Sequence, residues 1–181
     1  MPTLKKSETP AISTEYGFGS SSLGKILLAM QGPAVVRISI GDTEKELLTN
    51  AQTYFPTIRE NKTNPAISAA LEQLNCLLDE PAGEWTLPLD LRGTDFQKQV
   101  WAGISKVPVG ATVTYQQLAI SIGRKSSVRA VASACGANPV AIVVPCHRVL
   151  RSDGGLGGYR WGVDRKKELL LREAKLCARL T

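Results

Sequence analysis

Residues 141–149, Ala-Ile-Val-Val-Pro-Cys-His-Arg-Val, constrain this chain more than any other stretch. Their first four residues are apolar and mostly β-branched, with no polar face to offer water. That pattern predicts a short strand buried on both sides. Pro145 lacks a backbone N–H, so pairing is expected to end there and leave Cys146 at the strand's exit. His147, the only histidine in the protein, follows at once. A free thiol has a pKa of about 8.5, so little of it is thiolate at neutral pH unless a base assists. The adjacent pair therefore reads in two ways: an activated nucleophile with its base, or an inert thiol beside a histidine that satisfies a core hydrogen bond.

At 181 residues the chain suffices for one substantial domain or two small ones. No apolar run approaches the roughly 20 residues that span a bilayer, so no membrane partner is expected. The first 13 residues carry charge but no hydrophobic core of a signal peptide, and read as a flexible tail. Four cysteines (Cys76, Cys135, Cys146, Cys177) are widely spaced, which speaks against a zinc site and, as free thiols, for the cytoplasm. Charge is divided unevenly. Residues 1–92 hold 8 Lys/Arg against 11 Asp/Glu, and residues 93–181 hold 14 against 5. A basic half on an acidic half suggests that one lobe meets a polyanion.

Two strand-like runs, Gly24–Met30 and Ala34–Ile40, flank the turn signal Gln31-Gly32-Pro33. Helices are expected over Glu44–Phe55 and from Asn64-Pro65 to about Leu78, each with an apolar stripe. Leu87–Leu91 reads as an edge strand or extended linker. Residues 14–92 would thus form a small α/β N-terminal lobe. In residues 93–181, Thr94 or Asp95 caps a helix over Phe96–Lys106. Tyr115–Ile122, a turn at Gly123, and Val128–Ala137 capped by Ser126 or Ser127 read as a helix-turn-helix. Ala130, Ser133, Ala134 and Ala137 give the second of these helices a nearly bare face beside Arg129. Such a face suits either a narrow DNA groove or tight packing inside the protein. Asp164 is expected to cap a last helix to about Leu180. On it, Glu173 is an acid on a largely apolar face, either functional or a rim residue paired with Arg172 or Lys166.

Several stretches recur together in one order and spacing: Gly93-Thr94-Asp95-Phe96-Gln97, Thr114–Ala119, Val128–Val131 through Asn138-Pro139-Val140, Ile142–Val149 and Gly158–Val163. In these the chain resembles the O6-alkylguanine-DNA alkyltransferases (methylated-DNA–protein-cysteine methyltransferases). The likeness is to their adaptive-response branch, without its separate zinc-bearing domain. The resemblance implies an α/β (α+β) fold, with a ribonuclease H-like N-terminal lobe followed by a mainly helical lobe that carries the helix-turn-helix. It implies that Cys146 is the methyl acceptor, His147 its base through a bridging water, and Glu173 the group that orients His147. Tyr115 would abut the target phosphate and help protonate the departing guanine, and Arg129 would replace the extruded base in the stack. Ala130, Ser133 and Ala134 would lie against DNA. Asn138 would tie the helices to the active-site turn, and Val149, Tyr159, Arg160 and Trp161 would border the guanine and its alkyl group. Trp161 stands where some relatives have glycine, and is expected to narrow that pocket; the alternative is that it packs as a core residue against the last helix, near Leu169 or Leu170.

The implied partner is double-stranded DNA containing O6-alkylguanine, bound through the minor groove by a monomer, with no cofactor and no metal. O4-methylthymine is a second expected substrate. The nucleotide must be flipped out of the duplex, and the thioether formed has no evident route back, so each molecule would act once. Two other readings use the same residues: a Cys-His hydrolase with an acyl intermediate, and a non-catalytic DNA-binding module that senses lesions.

Overall fold

The computed structural model describes residues 13–180, so the tail expected over residues 1–13 lies outside them except for Ser13. Three antiparallel strands, β1 (Thr14–Ser21), β2 (Gly24–Gln31) and β3 (Ala34–Gly41), open the fold. A three-residue strand β4 (Ile58–Glu60) adds to β1 in parallel, giving the order β3-β2-β1-β4. Helix α1 (Glu44–Gln52), capped by Thr43, covers one face of the sheet; α2 (Pro65–Asp79), capped by Asn64, covers the other. The strand period of two sorts β2 between them: Leu27 and Ala29 join the α1 cluster, Ile26, Leu28 and Met30 the larger core. Both faces are buried, which is why Gly24–Met30 reads as a continuous apolar run.

Strand β1 carries little strand signal because Gly17 and Gly19 interrupt it. A Cβ at Gly17 would stand 2.6 Å from Ile67, and one at Gly19 would stand 2.9 Å from Leu71, so these glycines admit α2 against the sheet. The outer edge of β3 is covered by distant segments. Val35 exchanges backbone hydrogen bonds with Pro88 and Asp90, at 2.8 and 3.0 Å. Ile38 does the same with Pro139 and Ala141, at 3.0 and 3.1 Å. Leu87–Leu91 is therefore extended and sheet-bound, as its Pro-containing sequence suggests.

The remaining helices are α3 (Asp95–Ile104), α4 (Tyr115–Ser121), α5 (Val128–Gly136) and α6 (Val163–Leu180). Thr94 with Gln97, and Thr114 with Gln117, form reciprocal capping boxes that start α3 and α4. Two expected caps differ. Ser127 precedes α5 but makes no side-chain cap, and α6 starts at Val163, so Asp164 lies in its first turn, where a carboxylate favours the helix dipole. Strand β5 (Val113–Thr114) pairs in parallel with β6 (Val149–Leu150), a contact too short to read from the sequence. One apolar cluster crosses position 92/93, from Ile38 and Leu74 to Trp101, Val131 and residues 140–149. Among the described residues no helix is long and apolar enough to cross a membrane.

Candidate active site

The apolar run before Cys146 is buried but is not a strand. Only Val140 bridges to β3; residues 141–144 turn back on themselves, and Cys146–Arg148 forms one turn of 3-10 helix. The turn satisfies its own backbone. Val143 N–H donates to Ala141 O at 2.8 Å, and Cys146 N–H to Val144 O at 2.8 Å. Asn138, fully buried, completes it: its amide donates to Val144 O at 2.8 Å and its oxygen accepts from Val140 N–H at 3.0 Å. Ile142 sits at φ 72, a left-handed conformation that costs a β-branched residue about 1–3 kcal/mol. The surroundings must over-determine it.

Asn138 also donates to Cys146 Sγ at 3.2 Å. Burial nevertheless dominates the thiol and pushes its pKa up to about 11, so Cys146 is a thiol at neutral pH. His147, next in the chain, is 1% exposed, with Nε2 2.7 Å from Glu173 Oε1. Burial lowers the histidine's pKa against the opposing pull of Glu173. Burial alone would raise Glu173, but hydrogen bonds from His147 and Arg148 outweigh it and hold the carboxyl at about 2. An ionised carboxylate only accepts, so His147 Nε2 carries the proton and Nδ1 presents a lone pair. Nδ1 is buried and has no partner among the described residues. It is therefore the ring atom free to take a proton.

Glu173 is held from two further directions. Arg148 Nε donates to both its oxygens at 3.0 and 3.1 Å, and Gly110 N–H to Oε2 at 3.0 Å. The other candidate partners are engaged elsewhere. Arg172 pairs with Glu168 at 2.9 Å, and Lys166 donates to the carbonyls of Val149 and Leu156. That buried amine pins β6 to the glycine-rich loop. Arg148 and Gly110 are residues sequence reasoning missed; Lys166 was read as a possible partner of Glu173, since it lies seven positions before it on the same face of α6, but not as the brace of β6.

A cavity of about 610 Å³ brings Cys146 together with Tyr115, Tyr159 and Arg160, and with Ala132, Gly136, Gly157 and Gly158. Cys135 lines it too, its thiol pushed to about 12 by burial. Burial also raises the Tyr115 phenol, and it raises Tyr159 strongly; the buried Tyr159 hydroxyl has no partner among the described residues. Two residues expected to border the pocket, Val149 and Trp161, are not in its wall, and Asn138 does not line it either. Asn138 braces the turn, and Val149 is fully buried in β6. Trp161, 6% exposed, packs edge-to-face on Tyr159 at 5.2 Å within the core and borders a different cleft. On α5, Arg129, Ala130 and Ser133 are exposed, but Ala134 is buried against α3, its carbonyl accepting from Trp101 Nε1 at 2.8 Å. The bare outward face therefore runs Arg129, Ala130, Ser133, Gly136 and ends at the cavity mouth.

Residues 95–175 match the family described as 6-O-methylguanine DNA methyltransferase, DNA binding domain. The chain is 43% identical over 164 residues to the bifunctional transcriptional activator/DNA repair enzyme Ada of Escherichia coli, covering 91% of this chain but only 46% of Ada. It thus spans about half the length of that relative. It is 39% identical over 163 residues to the methylated-DNA–protein-cysteine methyltransferase of Mycobacterium tuberculosis H37Rv, covering 89% of this chain and 93% of that protein. The fold is similar to that of M. tuberculosis OGT crystallised in complex with DNA, with a TM-score of 0.77, 35% identity, and 90% and 94% of the two chains covered. With near-complete coverage of full-length relatives at this identity, the chain belongs to the methylated-DNA–protein-cysteine methyltransferase family.

Proposed function

We propose that this protein repairs alkylated DNA by direct reversal, taking the alkyl group of a flipped O6-methylguanine onto Cys146 in a single turnover. The observation that carries this is the position of Cys146. It lies in a cavity at the end of an exposed small-residue helix face, and the next residue is a neutral histidine bonded to an ionised carboxylate. In this reading His147 Nδ1 takes the thiol proton through a water, and Glu173 steadies the imidazolium. Cys146 Sγ forms a bond to the methyl carbon as the carbon–O6 bond breaks, and the electron pair remains on guanine. Tyr115, kept protonated by its surroundings, gives the departing base its proton and recovers one from the His147 side. The thioether is the end product. O4-methylthymine, with the same alkyl–oxygen linkage, is a second substrate.

DNA binding is assigned to residues 93–181, with α4 and α5 as a helix-turn-helix. A face of Ala130, Ser133 and Gly136 is slim enough for the minor groove, which is only about 6 Å wide. Arg124 and Lys125 lie at the turn between the helices, within reach of phosphates, and Arg129 fills the gap left by the flipped nucleotide. Residues 14–92 form the N-terminal lobe; its order β3-β2-β1-β4, with β4 parallel to β1, supports the ribonuclease H-like assignment. The protein acts as a monomer.

The test is incubation with DNA carrying a labelled methyl group, followed by digestion. One stable label per molecule on the Cys146 peptide is expected; repeated turnover with free product would indicate a hydrolase, and no label a lesion sensor. Arg129→Ala should slow transfer from duplex DNA at least tenfold more than from free O6-methylguanine, since only the duplex must be opened. Equal losses would move Arg129 out of the flipping step. Trp161→Ala should cost about 3–5 kcal/mol of stability, read from denaturant unfolding, because it empties a core site. It should slow transfer of methyl and benzyl groups alike; a selective gain on benzyl would return the indole to the pocket.

A further inference from the structure

Arg160 is shared between two hollows. It lines the cavity of Cys146 and also a cleft of about 360 Å³ on the other side, bordered by Asn50, Trp161 and Arg165. Its guanidinium therefore stands in the partition between them. What holds it there comes from the N-terminal lobe, 106 and 110 residues away in sequence: Nη2 donates to Tyr54 Oη at 2.9 Å and to Asn50 Oδ1 at 3.3 Å. Asn50 is on α1, and Tyr54 is in the turn that follows it, its N–H bonded to Ala51 O at 3.0 Å.

A buried post supports these two residues. Arg37 of β3, 2% exposed, donates to Asn50 Oδ1 at 2.7 Å and lies 4.0 Å from the centre of the Tyr54 ring. Arg160 lies 5.5 Å from the same centre. The acceptors that hold both guanidiniums are neutral, and the two positive charges oppose each other. Arg160 is thus held by geometry more than by charge, and losing one acceptor should free it. The hydrogen bond from Arg160 also draws the Tyr54 phenol below its ordinary pKa.

We propose that Tyr54 and Asn50 form a latch that fixes the Arg160 side chain in the cavity wall and thereby restricts the size of alkyl group that Cys146 accepts. Neither residue touches the cavity, so both are positioning residues that act through Arg160. The inference rests on the alkyl-transfer reading above and adds a determinant of substrate size outside the DNA-binding half of the chain.

Single-turnover transfer from O6-methylguanine and O6-benzylguanine DNA, measured on the full chain, tests it. Tyr54→Phe keeps the ring over Arg37 and removes only the acceptor, so the fold should persist and the methyl rate should stay within about twofold. The benzyl-to-methyl rate ratio should rise about tenfold, the equivalent of one hydrogen bond to a charged group. Asn50→Ala should move it the same way, and Arg160→Ala at least as far. In the Arg160→Ala background, Tyr54→Phe should change nothing, a result that a general loosening of α1 would not give. An unchanged ratio in Tyr54→Phe, or an equal shift with and without Arg160, overturns the latch while leaving alkyl transfer intact. No transfer from either adduct by the unaltered protein would overturn the underlying reading, and the latch with it.

Discussion

Cys146→Ala is expected to abolish alkyl transfer while leaving binding to lesion-containing DNA within a fewfold of the unaltered protein. The cavity walls and the exposed face of α5 do not depend on the sulfur. Removal of Sγ leaves one of the two Asn138 amide donors without its acceptor, while the other retains Val144 O at 2.8 Å and keeps the turn braced. The stability cost should be about 1–3 kcal/mol, mostly that of the buried amide donor left unpaired. The only other thiol in the cavity wall among the described residues is Cys135. Burial pushes its thiol up to about 12, so it is protonated at pH 7. It also lacks an adjacent histidine. Mass mapping after incubation with methylated DNA decides the matter: label on Cys135 or Cys177 in the variant would remove Cys146 from the acceptor role.

Glu173→Gln should be the most damaging change outside the acceptor. It leaves the half-buried Arg148 guanidinium without its counter-charge, and removing one partner of a buried pair costs about 3–5 kcal/mol. For a chain of this size that lowers Tm by about 6–20 °C. The pH dependence gives an independent reading. In the folded protein the Glu173 carboxyl titrates near 2 rather than at its ordinary 4.5. Between those values the unfolded chain binds the proton and the folded one does not, so stability is present above 4.5 and lost as pH falls toward 2. His147, lowered from 6.5 by burial, adds a loss of the same sign that begins below pH 6.5. In the Glu173→Gln variant the lower limb of a plot of stability against pH should become shallower, and what remains comes from carboxyls such as Glu15 and Asp153, which are also lowered by their hydrogen bonds. A variant that keeps that limb as steep as the parent's, or melts within about 2 °C of the parent, would show that Glu173 is not the counter-ion.

What the sequence disclosed and what it hid follow a physical division. The helix starts at Asn64 and Thr94 were legible because each acts on backbone groups within three residues. The stretch 141–144 was not. Its β-branched, wholly apolar composition is what burial on both sides demands, and a buried turn has that need as much as a strand does. The choice was made by groups elsewhere, the Asn138 amide and the edge of β3. Phase misled in the same way on α5: period alone places Ala134 with Ala130, and only the position of α3 turns it inward. Cys146, His147 and Glu173 were nameable by type and family likeness. The guanidinium of Arg148, which shares the Glu173 carboxylate, had no such signal. Trp161 shows the reverse ambiguity: a large residue in this segment reads either as a pocket wall or as core, and here the indole is buried in the core.

The covered edge of β3 has a consequence for how the chain is made. Ile38 and its partner Val140 are separated by 102 residues, the difference of their positions. At about 5–20 residues per second, a ribosome takes roughly 5–20 s to supply the second after the first. For that interval an apolar strand has an open row of donors and acceptors, the kind of template on which nascent chains associate with each other. The same segment that closes this edge delivers the turn before Cys146. A molecule that has finished its acceptor site has therefore also lost its most adhesive surface, and conditions that slow the last third of synthesis should favour aggregates over inactive monomers.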